Sequence, residues 1–377
     1  MFPTQVGELS IVWLNQTLTD QENRQGARVV DFSTEPLADQ GRTSAVYLLT
    51  LTYDQLTEMP TKLVLKFAMD QDFVKDALQD QNVFEREVTF YRRFGDGAGI
   101  PVPRCYAAAY DAEKNACVLL LEYIENAHQP DLFHGSVAEV DIAVEHLAPF
   151  HARWWQRQEE LAGIPCEYDR PDQHVQNVTR ALEKIPEEHR DDVGRTVIEV
   201  LELWLKHRSQ IVVHCARGPL TLCHGSFHRQ QLLCPTAEND PFRVIDWQSA
   251  TIDCGPIDLA RLLVTGLLPA ARRAHETRLV ERYHALLVEN GVADYPLEQV
   301  WQHYRLGIVR VLVLHIQVFA HFNVKLMLEH WGRVAEEQSL WKVLFQWPEQ
   351  ALMEHAVPEL LRQIARETPT IEAEEQG

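Results

Sequence analysis

The strongest constraint on this chain is a change of hydrophobic period close to residue 125. Before it, short runs alternate apolar with polar residues or are rich in β-branched ones. They cover 27–32, 45–53, 62–67, 105–110 and 117–123, the pattern of half-buried strands. A single helical run interrupts them, with Val83, Glu87, Phe90, Tyr91 and Phe94 at turn spacing and a stop at Gly95-Asp96-Gly97. From Val137 onward apolar residues recur at helical spacing over 137–157, 193–213, 256–267, 274–290, 297–322 and 349–366. The text therefore predicts an α+β chain, with a β-rich unit of about 125 residues followed by a larger helical one.

Size and charge narrow the function. At 377 residues the chain has room for two or three structural units. It carries 35 Lys and Arg against 55 Asp and Glu, a formal charge of −20. That field repels polyanions, so nucleic acid is not an expected partner. A single nucleotide arriving with its own metal ion stays compatible with it. The most apolar long stretch, 306–322, contains Arg310, His315, Gln317 and His321, so no membrane span is expected. Met1-Phe2-Pro3-Thr4-Gln5 has no basic leader region. Seven cysteines at 105, 117, 166, 215, 223, 234 and 254 form no Cys-x-x-Cys pair. Both features predict reduced thiols and a cytoplasmic protein. The acidic end, 367–377, is expected to be disordered.

Neither G-x-x-x-x-G-K-[ST] nor G-x-G-x-x-G occurs, and no H-E-x-x-H or zinc-type histidine spacing is found. Within the helical half lies one β-like island, made of 220–223, 231–233 and 242–245. It frames Leu222-Cys223-His224-Gly225-Ser226-Phe227-His228-Arg229-Gln230-Gln231 and Val244-Ile245-Asp246-Trp247-Gln248. On spacing alone this is either a hairpin with an exposed aspartate or a pair of loops that delivers a side chain and a carboxylate to a metal–nucleotide.

The segment resembles the aminoglycoside phosphotransferase and choline kinase-like superfamily, and most closely its ecdysteroid-kinase-like branch. That signature reads His-Gly-Asp-x-His-x-x-Asn, then Ile-Asp-Trp or Ile-Asp-Phe, then Pro-x-x-Asp-Leu-Ala. The last part stands here as Pro256-Ile257-Asp258-Leu259-Ala260. Leu63-Val64-Leu65-Lys66-Phe67 resembles the third-strand lysine segment, and Phe84-Glu85-Arg86-Glu87 the helix that answers it. Ile100-Pro101-Val102-Pro103 resembles the link to the fourth strand, Leu119-Leu120-Leu121-Glu122-Tyr123-Ile124 the hinge strand, and 147–155 a helix of the branch.

The resemblance implies a two-lobe protein-kinase-like fold. Residues 1–124 would form a nucleotide-binding N-lobe with a five-stranded antiparallel sheet, and 125–366 a helical C-lobe. The implied cofactors are ATP and Mg²⁺, with ATP lying between the lobes. Lys66 would neutralise the α/β-phosphates, Glu87 would hold Lys66, and Asp246 would carry the metal. Gly41 and Ser44 would belong to the phosphate loop, and backbone at Glu122, Tyr123 and Ile124 would take adenine. The implied reaction is phosphoryl transfer to a hydroxyl of a small molecule, neutral or cationic given the charge of the chain.

Two signature positions differ. The Asp that receives the acceptor hydroxyl's proton is Ser226, and the Asn that ligates a second metal is Gln231. A serine hydroxyl is no base near neutral pH, and a positioned base is worth about 10²–10⁴-fold. His228 and Asp253 are the alternative bases. An enzyme with an altered site is thus one expectation; a catalytically degraded kinase-like sensor or interaction module is the other. A Ser226 nucleophile lacks the Gly-x-Ser-x-Gly elbow. Asp258 is expected to brace a loop rather than act on substrate. No sequence feature specifies an oligomeric state.

Overall fold

The computed structural model describes residues 2–19, 26–37, 44–69, 82–133, 135–169, 171–185, 190–321 and 341–368. The chain divides into two compact units, one made of Met1–His128 with Leu233–Ser249, the other of Gln129–Leu232 with Ala250–Gly377. The segment carrying Asp246 thus belongs with the β-rich half, although helical text surrounds it in the sequence.

The first unit is built on a sheet of β1 (Val29–Pro36), β2 (Ser44–Tyr53), β3 (Lys62–Ala68), β4 (Cys105–Asp111) and β5 (Ala116–Glu122). The five strands lie in the order β1-β2-β3-β5-β4, every neighbouring pair antiparallel. Successive side chains of a strand point to opposite faces. Leu63, Leu65 and Phe67 of β3 therefore join Val118 and Leu120 of β5 in one core, together with Leu14 and Leu18 of the helix Ile11–Thr19. Lys66 sits between Leu65 and Phe67 and so points to the other face, where the helix Val83–Arg93 lies. That helix buries Val83, Phe84, Glu87, Val88, Phe90 and Tyr91. Arg92 and Arg93 complement the dipole at its last turn. A three-stranded sheet of β6 (Ala127–His128), β8 (Leu232–Pro235) and β9 (Arg243–Val244) completes the connection to the Asp246 segment.

In the second unit β7 (Thr221–Cys223) pairs antiparallel with β10 (Thr251–Asp253). This corrects the single hairpin island expected from the sequence. β7 belongs to its own two-stranded sheet, and its partner β10 is too short to show a period. The helix Val137–Arg153 begins with a capping box between Ser136 and Glu139 and ends four residues before the expected 157. The helix Pro256–Gly266 packs under the long helix Leu297–His321. Gly307 permits that approach, since a Cβ there would stand 2.7 Å from Ala260 Cβ and 3.0 Å from Ile257 Cα.

Other boundaries shift for local reasons. The run expected over 193–213 is two helices, Arg195–Lys206 and Arg208–Ala216, because His207 leaves helical geometry at φ −114°, ψ 23°. The run over 349–366 divides into Trp347–Glu354 and Val357–Glu367. Ala356 is left-handed at φ 46°, and Pro358, which has no N–H to give, starts the new helix. Pro269 opens its helix, Pro269–Glu289, five residues ahead of the expected start. The helices Ile11–Thr19 and Pro171–Lys184 and the single turn Arg190–Val193 have no counterpart in the periods read from the sequence. Gly41, Phe322 and 369–377 lie outside the described residues. No helix among the described residues is long and apolar enough to cross a membrane.

Candidate active site

The first unit gathers three of the expected residues. Lys66 Nζ lies 2.7 Å from Glu87 Oε2 and 2.8 Å from Asp246 Oδ1. Strand alternation delivers the lysine and a helix face delivers the glutamate. Burial disfavours the Lys66 charge, but Asp246 and Glu87 outweigh it and hold the ammonium above the usual lysine range. Burial pushes the Glu87 carboxyl up, with Lys66 opposing. One cation among two carboxylates leaves this cluster a net negative charge, the polarity that attracts a second cation.

Asp246 is held in an unusual conformation. Its φ is 65°, in the left-handed region that non-glycine residues seldom enter. Such geometry costs of order 1–3 kcal/mol and persists only where neighbours impose it. Two neighbours do. Trp247 is fully buried and stacks on Phe90 at 3.7 Å between ring centroids, and its Nε1 donates to Val244 O. Gln248 Nε2 donates to Ser44 Oγ at 2.8 Å. The Asp246 side chain remains about a third exposed, at 32%. A hard carboxylate oxygen beside a lysine is a donor set that fits magnesium and phosphate.

Other expected nucleotide residues are placed as follows. Ser44 opens β2 with its side chain fully buried against Gln248. Glu122 closes β5; its N–H donates to Arg104 O, and its Oε2 accepts from Arg104 N–H. Tyr123 faces the Lys62 ammonium at 5.7 Å from the ring centre, and Ile124 is buried.

The second unit holds the 224–231 loop. Gly225 takes φ 77°, so the chain turns sharply after β7. Asp258, fully buried near the start of its helix, accepts from His224 N–H at 2.6 Å and Gly225 N–H at 2.9 Å. It is the expected loop brace. Ser226 N–H donates to His224 Nδ1, and Gln231 Nε2 lies 3.3 Å from His228 Nε2. Arg229 is fully buried and donates to the carbonyls of Gly266 and Asp131. His151 Nε2, Cys223 Sγ and the Asp258 carboxylate lie within 4.8 Å of one another. Each is already engaged, His151 with Tyr283 OH, Cys223 with Asp253 O and Asp258 with the loop N–H groups. This trio is a brace rather than an open metal site.

Asp253, weighed as a substitute base, is 1% exposed. It accepts from Tyr168 OH and Cys254 N–H, and Arg310 Nε stands 3.9 Å from its other oxygen. Burial pushes its carboxyl up to about 7, with Arg310 opposing. Arg310 also pairs with Glu167, which His174 contacts at 2.9 Å. Burial works against the Glu167 charge, but Arg310 and His174 hold it down at about 2. The sequence reading missed Gln248 and this network. A polar residue two places after Asp246 is the available signal for Gln248.

Comparison with known proteins follows the same lines. Residues 54–343 match the DUF1679 family, described as "Uncharacterized oxidoreductase dhs-27". No curated protein matches the sequence significantly. Among solved structures, a protein of Ralstonia eutropha JMP134 assigned to the aminoglycoside phosphotransferases is 14% identical, with a TM-score of 0.50. That match covers 95% of this chain and 97% of the other. LicA in complex with AMP is 15% identical over 91% of this chain and 98% of its own, also at 0.50. The shared feature at such identities is the fold, that of kinase-like phosphotransferases.

Proposed function

The chain belongs to the DUF1679 family, and we propose that it transfers a phosphoryl group from Mg²⁺-bound ATP to a hydroxyl of a small molecule. The observation that carries this reading is the Lys66–Glu87–Asp246 cluster, with both contacts of Lys66 at or below 2.8 Å. Lys66 neutralises α/β-phosphate charge, Glu87 fixes its ammonium, and Asp246 gives the metal a carboxylate oxygen. Mg²⁺, when bound, offsets charge on the phosphates during a loose transition state. Adenine takes the backbone that follows β5, at Glu122, Tyr123 and Ile124, so the first unit is the nucleotide-binding one. A redox reading, which the family's description invites, finds no G-x-G-x-x-G in the sequence and no parallel strand pair in the five-stranded sheet.

Receiving the acceptor falls to the 224–231 loop. With Ser226 in the place of the signature Asp, the loop offers the acceptor's proton no carboxylate, and its imidazoles are His224, which accepts from Ser226 N–H, and His228, two positions on. Positioning and metal electrostatics supply most of the acceleration in this chemistry, so the enzyme is slow rather than inert. The acceptor is neutral or cationic, in keeping with the −20 charge, and the seven free cysteines favour a cytoplasmic setting. One observation favours a second reading, a nucleotide- or ligand-binding module without turnover: no Asp or Glu stands between His224 and Gln231.

The test is ADP release from Mg·ATP across a panel of hydroxylated small molecules, for the wild-type protein and Lys66→Ala. Acceptor-dependent release that Lys66→Ala abolishes supports the enzyme. Nucleotide binding without release from any acceptor supports the second reading.

A further inference from the structure

Gln248 follows Asp246 by two residues and is buried, with 8% of its surface exposed. Its amide nitrogen donates to Ser44 Oγ at 2.8 Å, a contact between side chains 204 positions apart. The Gln248 side chain also acts on Glu87, the partner of Lys66, favouring its charged form against the effect of burial. Ser44, fully buried, is the first residue of β2, and β2 pairs with β3 so that Val46 stands opposite Lys66. An amide has two N–H groups; Gln248 gives one to Ser44 Oγ, and its effect on Glu87 is that of a donor. Three separate stretches of chain meet at this one side chain: the Asp246 segment, the helix of Glu87 and the start of the strand beside Lys66.

From this geometry we infer that Gln248 is a positioning residue, which holds Asp246, Glu87 and Lys66 in nucleotide-binding register by bridging Glu87 to Ser44 without itself touching the nucleotide. The inference rests on the phosphotransferase reading for what the cluster binds. It adds the residue that keeps the cluster in place, and it assigns the Ser44 hydroxyl to that brace rather than to a phosphate.

A carboxylate buried in low dielectric depends on each donor it has. Lys66 alone would have to serve both Glu87 and Asp246 if the amide were lost. Trp247 would still anchor the segment through its stack on Phe90, so the fold survives while the placement of Asp246 loosens. A glutamate at 248 has the same length but no donor for Glu87, and it adds a like charge beside it. Gln248→Glu is therefore expected to be worse than Gln248→Ala.

The experiment is a double-mutant cycle on Mg·ADP affinity by titration calorimetry, with apo melting curves as the fold control. Gln248→Ala is expected to weaken Mg·ADP by about tenfold, as loss of a charge-assisted donor does. Ser44→Ala weakens it several-fold, Ser44→Thr restores it, and the double variant is no weaker than Gln248→Ala alone. Should Gln248→Ala not fold, the Ser44→Ala and Ser44→Thr pair carries the test by itself. Losses that multiply in the double variant, or wild-type affinity in Gln248→Ala or in Ser44→Ala, overturn the positioning role while the phosphotransferase reading stands. No Mg·ADP binding by the wild-type protein overturns both.

Discussion

The Lys66–Glu87–Asp246 cluster and the 224–231 loop, the two parts that the proposed phosphotransfer would use, are built differently in this chain. In the first unit, the Lys66–Glu87–Asp246 cluster keeps every charge, in contact and mostly buried. In the second, the 224–231 loop has a backbone brace, two N–H groups held by Asp258, but carries no carboxylate between His224 and Gln231. On the phosphotransferase proposal, holding a nucleotide and activating an acceptor are then separable in one molecule, because the first depends on fixed charges and the second on one proton-accepting group.

The largest effect is expected where the loop's shape is held. Asp258→Ala leaves the His224 and Gly225 N–H groups without their acceptor and removes the carboxylate beside the buried His151 Nε2, and should lower stability by about 3 kcal/mol. Chemical denaturation measures it. A loss below about 1 kcal/mol would mean that the loop is held elsewhere. Next comes Ser226→Asp. If the loop differs from the family only in its base, this change raises acceptor-dependent turnover by about 10². Unchanged turnover would mean that the loop serves another purpose.

A smaller effect concerns Asp253, which is buried against Tyr168, Cys254 N–H and Arg310. Its carboxyl is raised by burial to about 7, against about 3.9 in an unfolded chain. A raised carboxyl favours the folded state while it is protonated, and that contribution is lost as pH rises through 7. Asp253→Asn stays neutral. Its melting temperature relative to wild type should therefore climb between about pH 4 and pH 7 and level off above. A flat difference would show that Arg310 keeps Asp253 ionised throughout. The smallest effect is expected on the exposed face, where Arg282 pairs with Glu145 at 2.6 Å. Arg282→Ala should leave the melting temperature almost unchanged, with what change there is confined to low salt.

How much of the fold and the site is legible in the sequence depends on how far each signal reaches along the chain. The alternation of β3 places Lys66 opposite its apolar neighbours, and the helical period of 83–93 sets Glu87 among buried residues, an odd place for an acid. Both are local signals, and both residues are found where period predicts. Asp246 is marked by a motif, while its φ of 65° follows from no sequence rule. The bridge from Gln248 to Ser44 spans 204 positions, and the contact of Asp253 with Tyr168 spans 85. Contacts at that range leave no period and need no special residue type. β10 is three residues long, below the length at which alternation can be told from chance. The helix breaks at His207 and Ala356 depend on single backbone angles, and only Pro358 gives a sign of one of them.

The proposed function requires the Lys66–Glu87–Asp246 cluster to hold Mg·ATP while the 224–231 loop offers no carboxylate. Calorimetry of ATP binding with and without Mg²⁺, on wild type and Asp246→Ala, tests it most directly. The account predicts saturable, Mg²⁺-dependent binding by the wild-type protein and its loss in Asp246→Ala. Absence of wild-type binding, or binding that neither Mg²⁺ nor Asp246 affects, would contradict it.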